Sequence, residues 1–255
     1  MKVVMDCDNT IGIPGRDLDD ALALFYLLGR DDVELIGASS RNERRSPAAD
    51  FLADVTAKHP HGITVLATGA MTNLLGAWQV DHDFFRNLRA GVLMGGVTAA
   101  LVINGQTMDE LNFSCDPEAA CHVLRSDCET TVITGNLCLQ ALLGGQRLGR
   151  IAGQTEFAVF NYIQKPVTEW SEYLYEKYGL AGFHVWDAVA ASYVVKPELF
   201  DDCWSEVLST PADLEMGLLK IASENEHGYR VNMPAEIRDR DRFWGELFQA
   251  WENAL

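Results

Sequence analysis

The chain has 255 residues, 48% of them apolar, and a formal net charge of −17 at pH 7. That is enough apolar material for one sizeable core, and the acidic balance excludes partners that demand basic patches, namely nucleic acids and anionic membranes. No apolar run is long enough to span a bilayer. Strand-like sequence begins at Lys2 with no basic, apolar and cleavage-site segments ahead of it, so no signal peptide is expected. Six cysteines (Cys7, Cys115, Cys121, Cys128, Cys138 and Cys203) include no Cys-x-x-Cys pair and are expected to be reduced thiols, several of them buried, in a cytoplasmic protein.

Residues 3–5 form an apolar run that reads as a buried strand, and Asp6 and Asp8 fall where it ends. In an open α/β sheet, that carboxyl edge is where ligands bind. Asp19 and Asp20 open an amphipathic run over residues 19–28, so residues 17–20 stand at a helix N-terminus, where the dipole favours acids. Capping alone would account for Asp17, Asp19 and Asp20. It does not account for Asp6 and Asp8. Four carboxylates (Asp6, Asp8, Asp19 and Asp20) on one loop repel unless a cation sits among them, and hard oxygen ligands suit Ca²⁺ or Mg²⁺.

Further strands are expected at residues 33–38, 63–67, 91–94 and 130–134, with helices at 47–57, 72–80, 117–125 and 137–142. The alternation predicts an α/β fold, an open and mainly parallel Rossmann-like sheet flanked by helices. From 151 to 178 the pattern turns helical and aromatic-rich, and another helix fits 186–195, stopped by Pro197. Short strands at 205–208 and 213–219 precede a closing helix at 239–253. No internal repeat, low-complexity tract or Gly/Ser/Pro linker interrupts the chain, so one domain over 1–255 is expected.

The loops after these strands carry polar residues: Arg41 and Asn42, then Gly69 to Asn73, then Met94-Gly95-Gly96, with Asn104, Glu110 and Asn112 following. Asp187 heads the apolar helix at 186–195. Singly, each is an ordinary turn or cap residue. Together, polar groups ending successive strands of one sheet face one crevice.

These segments, in this order, resemble the inosine–uridine-preferring nucleoside hydrolase family. Its opening Asp-x-Asp-Pro-Gly-x-Asp-Asp-Ala is similar to Asp6-Cys7-Asp8 followed, after an insertion, by Asp19-Asp20-Ala21. Its Gly-Pro-Leu-Thr-Asn resembles Gly69-Ala70-Met71-Thr72-Asn73, and its Met-Gly-Gly matches Met94-Gly95-Gly96. Its Asn…Glu-Phe-Asn…Asp-Pro-Glu-Ala-Ala resembles Asn104, then Glu110-Leu111-Asn112, then Asp116 to Ala120. Its late His-Asp-Pro-x-Ala-Val-Ala corresponds to Trp186-Asp187 and Ala188-Val189-Ala190.

The resemblance implies the nucleoside hydrolase fold and cleavage of the N-glycosidic bond of ribonucleosides, releasing ribose and free base, with a tightly held Ca²⁺. Carried over by position, Asp8, Asp20, the Thr72 carbonyl and Asp187 would bind the metal. Asp8 would also act as general base on a water. Asp19, Asn42 and Asn112 would hold the ribose 2′- and 3′-hydroxyls, with Asn104 and Glu110 on the 5′-hydroxyl. Met94 and Trp186 would contact substrate, and Asp6 would orient the acidic cluster from behind. Relatives commonly assemble as homo-oligomers, which the resemblance extends to this chain.

Three departures stand out. The family's Pro-Gly is replaced by residues 9–18, with Arg16 as the one cationic side chain of that insertion. The stretch before Gly69 is short, with only about a dozen residues around 58–62, which implies a more open pocket. Trp186 stands where many members carry a histidine that helps the base depart; His184 is two residues away, and Tyr173 and Tyr175 are further candidates beside the base. Asp6-Cys7-Asp8-Asn9-Thr10 also resembles the haloacid dehalogenase phosphatase signature, which would make Asp6 a nucleophile beside Mg²⁺. A non-catalytic nucleoside- or ribose-binding relative is the third possibility.

Overall fold

A computed structural model describes residues 1–11, 13, 16–40 and 44–255. In chain order the elements are β1 (Lys2–Asp6), α1 (Asp19–Leu28), β2 (Glu34–Ser39), α2 (Pro47–Lys58), β3 (Ile63–Ala67), α3 (Thr72–Val80), α4 (Phe84–Asn87), β4 (Ala90–Met94), β5 (Leu101–Ile103), β6 (Gln106–Met108) and α5 (Pro117–Leu124). There follow β7 (Thr130–Ile133), α6 (Gly135–Cys138), β8 (Leu142–Leu143), α7 (Gln146–Gly153), α8 (Ala158–Tyr178), β9 (Phe183–His184), α9 (Trp186–Val195), β10 (Trp204–Val207), α10 (Pro211–Leu214), β11 (Tyr229–Asn232) and α11 (Arg240–Asn253).

Side chains alternate across a strand, so each central strand feeds two cores. Val3, Met5, Leu66, Val92 and Ile133 pack on one face beneath α1, α8, α9 and α11. Val4, Val65, Leu93 and Val132 pack on the other with α2, α3 and α5. Burial on both faces is why these runs read as continuously apolar, and it is the condition for a parallel sheet. The sheet has seven strands in the order β10-β11-β7-β4-β3-β1-β2. Every neighbour pair is parallel except β10 with β11. The chain runs from β1 out to β2 on one side, then crosses to β3 and onward on the other. The switch point therefore lies between the carboxyl ends of β1 and β3, where a ligand crevice opens in such folds.

Tertiary pairing overrides the sequence reading in four places. The helix expected at 137–142 is only α6, because Leu142 and Leu143 pair with His184 and Phe183 as a two-stranded ribbon. In place of the strand expected at 213–219, residues 213–214 close α10, which opens on a Thr210–Asp213 capping box with Pro211 in the first turn, and Leu218 makes only an isolated bridge to Val97. The true partner of β10 is β11, whose Tyr-Arg-Val-Asn sequence carries little apolar signal. The hairpin β5–β6 also went unpredicted; its two-residue turn is Asn104-Gly105, with φ of 49° and 79°, the Asn-Gly signature of a tight turn. No described helix is long and apolar enough to cross a membrane, and all six cysteines are free, with Cys7, Cys121 and Cys138 buried.

The end of α1 seats on α11 with no room to spare: a Cβ on Gly29 would lie 1.8 Å from the Ala250 carbonyl oxygen. Gly29→Ala should therefore force the two helices apart and cost about 1–3 kcal/mol of stability, as overpacking does. A lowered denaturation midpoint checks this.

Candidate active site

β1 ends at Asp6, and the side chain turns inward rather than toward solvent, with 2% exposure. Its Oδ1 accepts hydrogen bonds from Ser39 Oγ (2.6 Å) and Asn73 Nδ2 (2.9 Å), joining the ends of β1 and β2 to α3. Burial raises its pKa to about 7. A phosphatase nucleophile would need to face an incoming phosphate, so this burial removes the haloacid dehalogenase reading. Asp6 braces the sheet edge beneath the crevice.

Asp8, two residues on, is exposed at the mouth of the crevice. Gly69 lets it sit there: a Cβ at that position would lie 3.2 Å from the Asp8 Cγ. Asp19 and Asp20 occupy the first turn of α1, whose preceding residue, Leu18, offers no side-chain cap. Asp187 occupies the first turn of α9. α1 and α9 pack together, and both helix N-termini present carboxylates to the same cavity, each favoured by its dipole. The Thr68 hydroxyl donates to Asp20 Oδ1 (2.6 Å), and Thr10 Oγ1 donates to Asp17 Oδ1 (3.2 Å).

This cluster is electrostatically costly as it stands. Asp19, Asp20 and Asp187 are all held well above the usual carboxylate range, first by burial and then by neighbouring carboxylates: Asp17 and Asp20 on Asp19, Asp8 and Asp17 on Asp20, and Asp20 and Asp19 on Asp187. Asp17 is raised by burial too. The Asp8 and Asp20 carboxyls lie within hydrogen-bonding reach, and the buried Asp19 Oδ1 has no hydrogen-bond partner among the described residues. Such a set demands protons or a cation. The donors are all hard oxygens, with no thiolate or paired imidazole among them, which fits Ca²⁺ or Mg²⁺ by chemistry. Among the described residues, no three His, Cys, Asp or Glu side chains are closed around one point, and Asp8 is the exposed member of the set.

The cluster forms one wall of a cavity of about 430 Å³. Of the expected site residues, Asp8, Asp19, Asp20, Met94, Glu110, Asn112, Trp186 and Asp187 all line it. Thr72 does not. It is the first residue of α3, and its hydroxyl donates to Asp116 (2.9 Å), while Thr68 from the same loop faces the carboxylates. The Gly-x-x-Thr-Asn motif was matched at its helical end; the strand end four residues earlier is what reaches the crevice. Asn104 is also displaced from its expected place. At the hairpin tip, its Nδ2 donates to the Tyr178 and Gly179 carbonyls (2.9 and 3.1 Å), latching the β5–β6 hairpin to the end of α8. Asn42 lies outside the described residues.

Glu110 organises its own loop. Oε1 accepts from the Gly96, Asn112 and Phe113 N–H groups, and Oε2 from Ser114 N–H. Gly96 adopts φ +69°, where a Cβ would strike Leu219 at 2.7 Å, so the second glycine of Met-Gly-Gly is required for this contact. Asn112 spends its Nδ2 on the Thr68 and Met94 carbonyls (both 3.0 Å), which leaves its Oδ1 as the acceptor toward the cavity.

The opposite wall comes from α8. Trp170, Tyr173, Leu174, Lys177 and Tyr178 line it at helical spacing. Tyr175 points away and is 63% exposed, because i and i+2 do not share a helix face. Trp170 is a cavity residue stacked on Tyr173 at 5.1 Å, one helical turn before it on the same face. His184 also lines the cavity, beside Trp186 with ring centroids 5.2 Å apart. Burial lowers its pKa to about 4.

A family sequence description, inosine-uridine preferring nucleoside hydrolase, matches residues 38–245. The chain is 28% identical over 243 residues to the pyrimidine-specific ribonucleoside hydrolase RihA of Shewanella oneidensis, covering 80% of this chain and 73% of that protein. It is 30% identical over 172 residues to uridine nucleosidase 1 of Arabidopsis thaliana, covering 68% of this chain and 50% of that one. Among solved structures, the plant nucleoside hydrolase PpNRh1 superposes with a TM-score of 0.84 at 18% identity, covering 100% of this chain and 99% of that chain. A purine-preferring ribonucleoside hydrolase from Gardnerella vaginalis superposes with a TM-score of 0.82 at 19% identity and the same coverage. Both likenesses are of fold. The family match begins beyond the acidic segment of residues 6–20, the region altered by the insertion, yet spans most of the remaining chain. The chain belongs to the inosine-uridine preferring nucleoside hydrolase family.

Proposed function

We propose that the chain hydrolyses the N-glycosidic bond of ribonucleosides, releasing ribose and a free base, with Asp8 as general base and a resident divalent cation, Ca²⁺ by its donor set. The observation that carries this reading is the carboxylate cluster at the β1/β3 switch point, with Asp19 Oδ1 buried inside it and without a partner among the described residues. Asp8, Asp20, Asp187 and the carbonyl of Thr68, rather than Thr72, would hold the ion. When bound, the ion supplies positive charge that keeps these carboxylates ionised and makes a nearby water more acidic.

The side chains supply the rest. Asp8 is the exposed carboxylate of the cluster and takes the proton of the attacking water. Asp19 and the Asn112 Oδ1 accept from the ribose hydroxyls, and the Glu110 Oε2, with one backbone donor only, has capacity for one more hydroxyl. The surrounding carboxylates stabilise the positive charge that grows on the ribose ring as the bond to the base stretches. A non-catalytic binding relative would have no use for a base at Asp8.

The direct test is release of reducing sugar from a panel of purine and pyrimidine nucleosides; binding without release would favour the non-catalytic alternative. Asp8→Asn keeps the shape and removes the base, so kcat should fall by about two orders of magnitude or more. Ribose affinity should change far less, and an unaltered kcat would exclude Asp8 as the base. Stripping with a chelator should abolish turnover and lower the melting temperature, with Ca²⁺ restoring both and elemental analysis finding one ion per chain. Full activity in metal-free protein would dismiss the cation.

His184 gives a separate check through pH. Its folded pKa of about 4 lies below the ordinary value of 6.5, so below pH 6.5 the unfolded chain gains a proton that the folded chain refuses. Its effect on stability is nil above that pH. Stability is then lost as pH falls from 6.5 to about 4, by up to about 3 kcal/mol. His184→Gln should flatten this part of a melting-temperature profile against pH; an unchanged slope would assign it elsewhere.

A further inference from the structure

When the bond between ribose and base breaks, the electron pair leaves with the base. The carboxylate wall cannot receive that negative charge, since Asp8, Asp17, Asp19, Asp20 and Asp187 share its sign. His184 is neutral where it is buried, and the Trp186 indole donates only a neutral hydrogen bond. Among the described residues, two cationic side chains line the cavity, Arg16 and Lys177. Arg16 lies close to Asp17 and acts on it, which places its charge on the acidic wall.

Lys177 is on the other wall. Its Nζ stands 5.6 Å from the Tyr173 ring centre and 5.0 Å from that of Tyr178. Both tyrosines hold its pKa above the ordinary lysine value. It lies seven residues beyond Trp170, two turns along the same helix face, and Trp170 and Tyr173 stack within 16° of parallel. The end of α8 is fixed by the Asn104 latch onto the Tyr178 and Gly179 carbonyls. With the sugar against the carboxylates, the base is left to the α8 wall, between flat aromatic faces and one ammonium.

We propose that Lys177 is the leaving-group residue of this enzyme, its ammonium pairing with the negative charge that develops on the departing base. The inference rests on the glycosidase reading given above. The balance is closed: the base ring nitrogen takes the electron pair of the broken bond, hydroxide from water bonds to the ribose carbon, and Asp8 accepts the water's proton. The base anion, held by Lys177, takes up a proton from solvent, and Asp8 returns one. Lys177 keeps its own proton throughout and acts as a fixed positive charge.

A substrate pair separates this role from a structural one. Natural nucleosides such as inosine and uridine depart as poor anions, whereas p-nitrophenyl riboside releases a stabilised phenolate that needs little help. In Lys177→Met, the ratio of kcat on the better natural nucleoside to kcat on p-nitrophenyl riboside should fall about tenfold or more. Lys177→Arg, which retains the charge, should recover most of that ratio. Equal losses on both substrates, or none, would overturn the assignment while leaving the glycosidase reading intact. A parent protein inactive on both substrates, with its metal supplied, would overturn both.

Discussion

Burying like charges is the constraint around which the rest of the structure is arranged. Two carboxylates about 4 Å apart repel by about 4 kcal/mol at the effective dielectric of a protein site, and the crevice collects several. A helix N-terminus returns only about 0.3–1 kcal/mol per acid. The dipoles of α1 and α9 therefore cannot balance the cluster alone, and the raised pKa values of Asp19, Asp20 and Asp187 express that shortfall. Folding alone would not select such an arrangement. In the proposed reaction its use is chemical, since a cluster short of positive charge would stabilise a divalent ion and a cationic sugar in turn.

A site under that much repulsion needs a rigid frame. Asp6 supplies part of it, tying Ser39 and Asn73 to the end of β1, while Ser46 at the head of α2 donates on to Asn73. Glu110 performs the same service on the far side by gathering four backbone N–H groups of its own loop and of Met-Gly-Gly. Neither carboxylate has to touch substrate to matter. The cavity has a polar wall fixed by the sheet edge and an aromatic wall carried by α8, and the Asn104 latch sets the position of that helix end beside the hairpin.

Much of this was legible from the chain. α1, β3, α3 and α9 begin and end where the periodicity puts them, because each carries a strong apolar pattern. The acidic residues were legible as well, since Asp6 and Asp8 follow a buried strand and have no capping role. β11 and the 142–143 pairing were not, because short strands draw their stability from partners distant in sequence. Thr68 and Trp170 were missed for another reason: a motif or a pattern shows that a residue is buried or in a turn, but not which side of the turn meets the cavity.

The sequence by itself determined the alternation of strands and helices, the family, and the residue types that gather at the carboxyl edge, because these follow from local pattern and order along the chain. Only the tertiary structure decided which of those residues face one another. It set Thr68 in place of Thr72, turned Asn104 from a substrate contact into a latch, hid Asp6, and placed Lys177 across the cavity from the carboxylates. The physical reason is that a site is defined by directions and distances between elements far apart in sequence, and those are fixed only when the two cores close on the sheet.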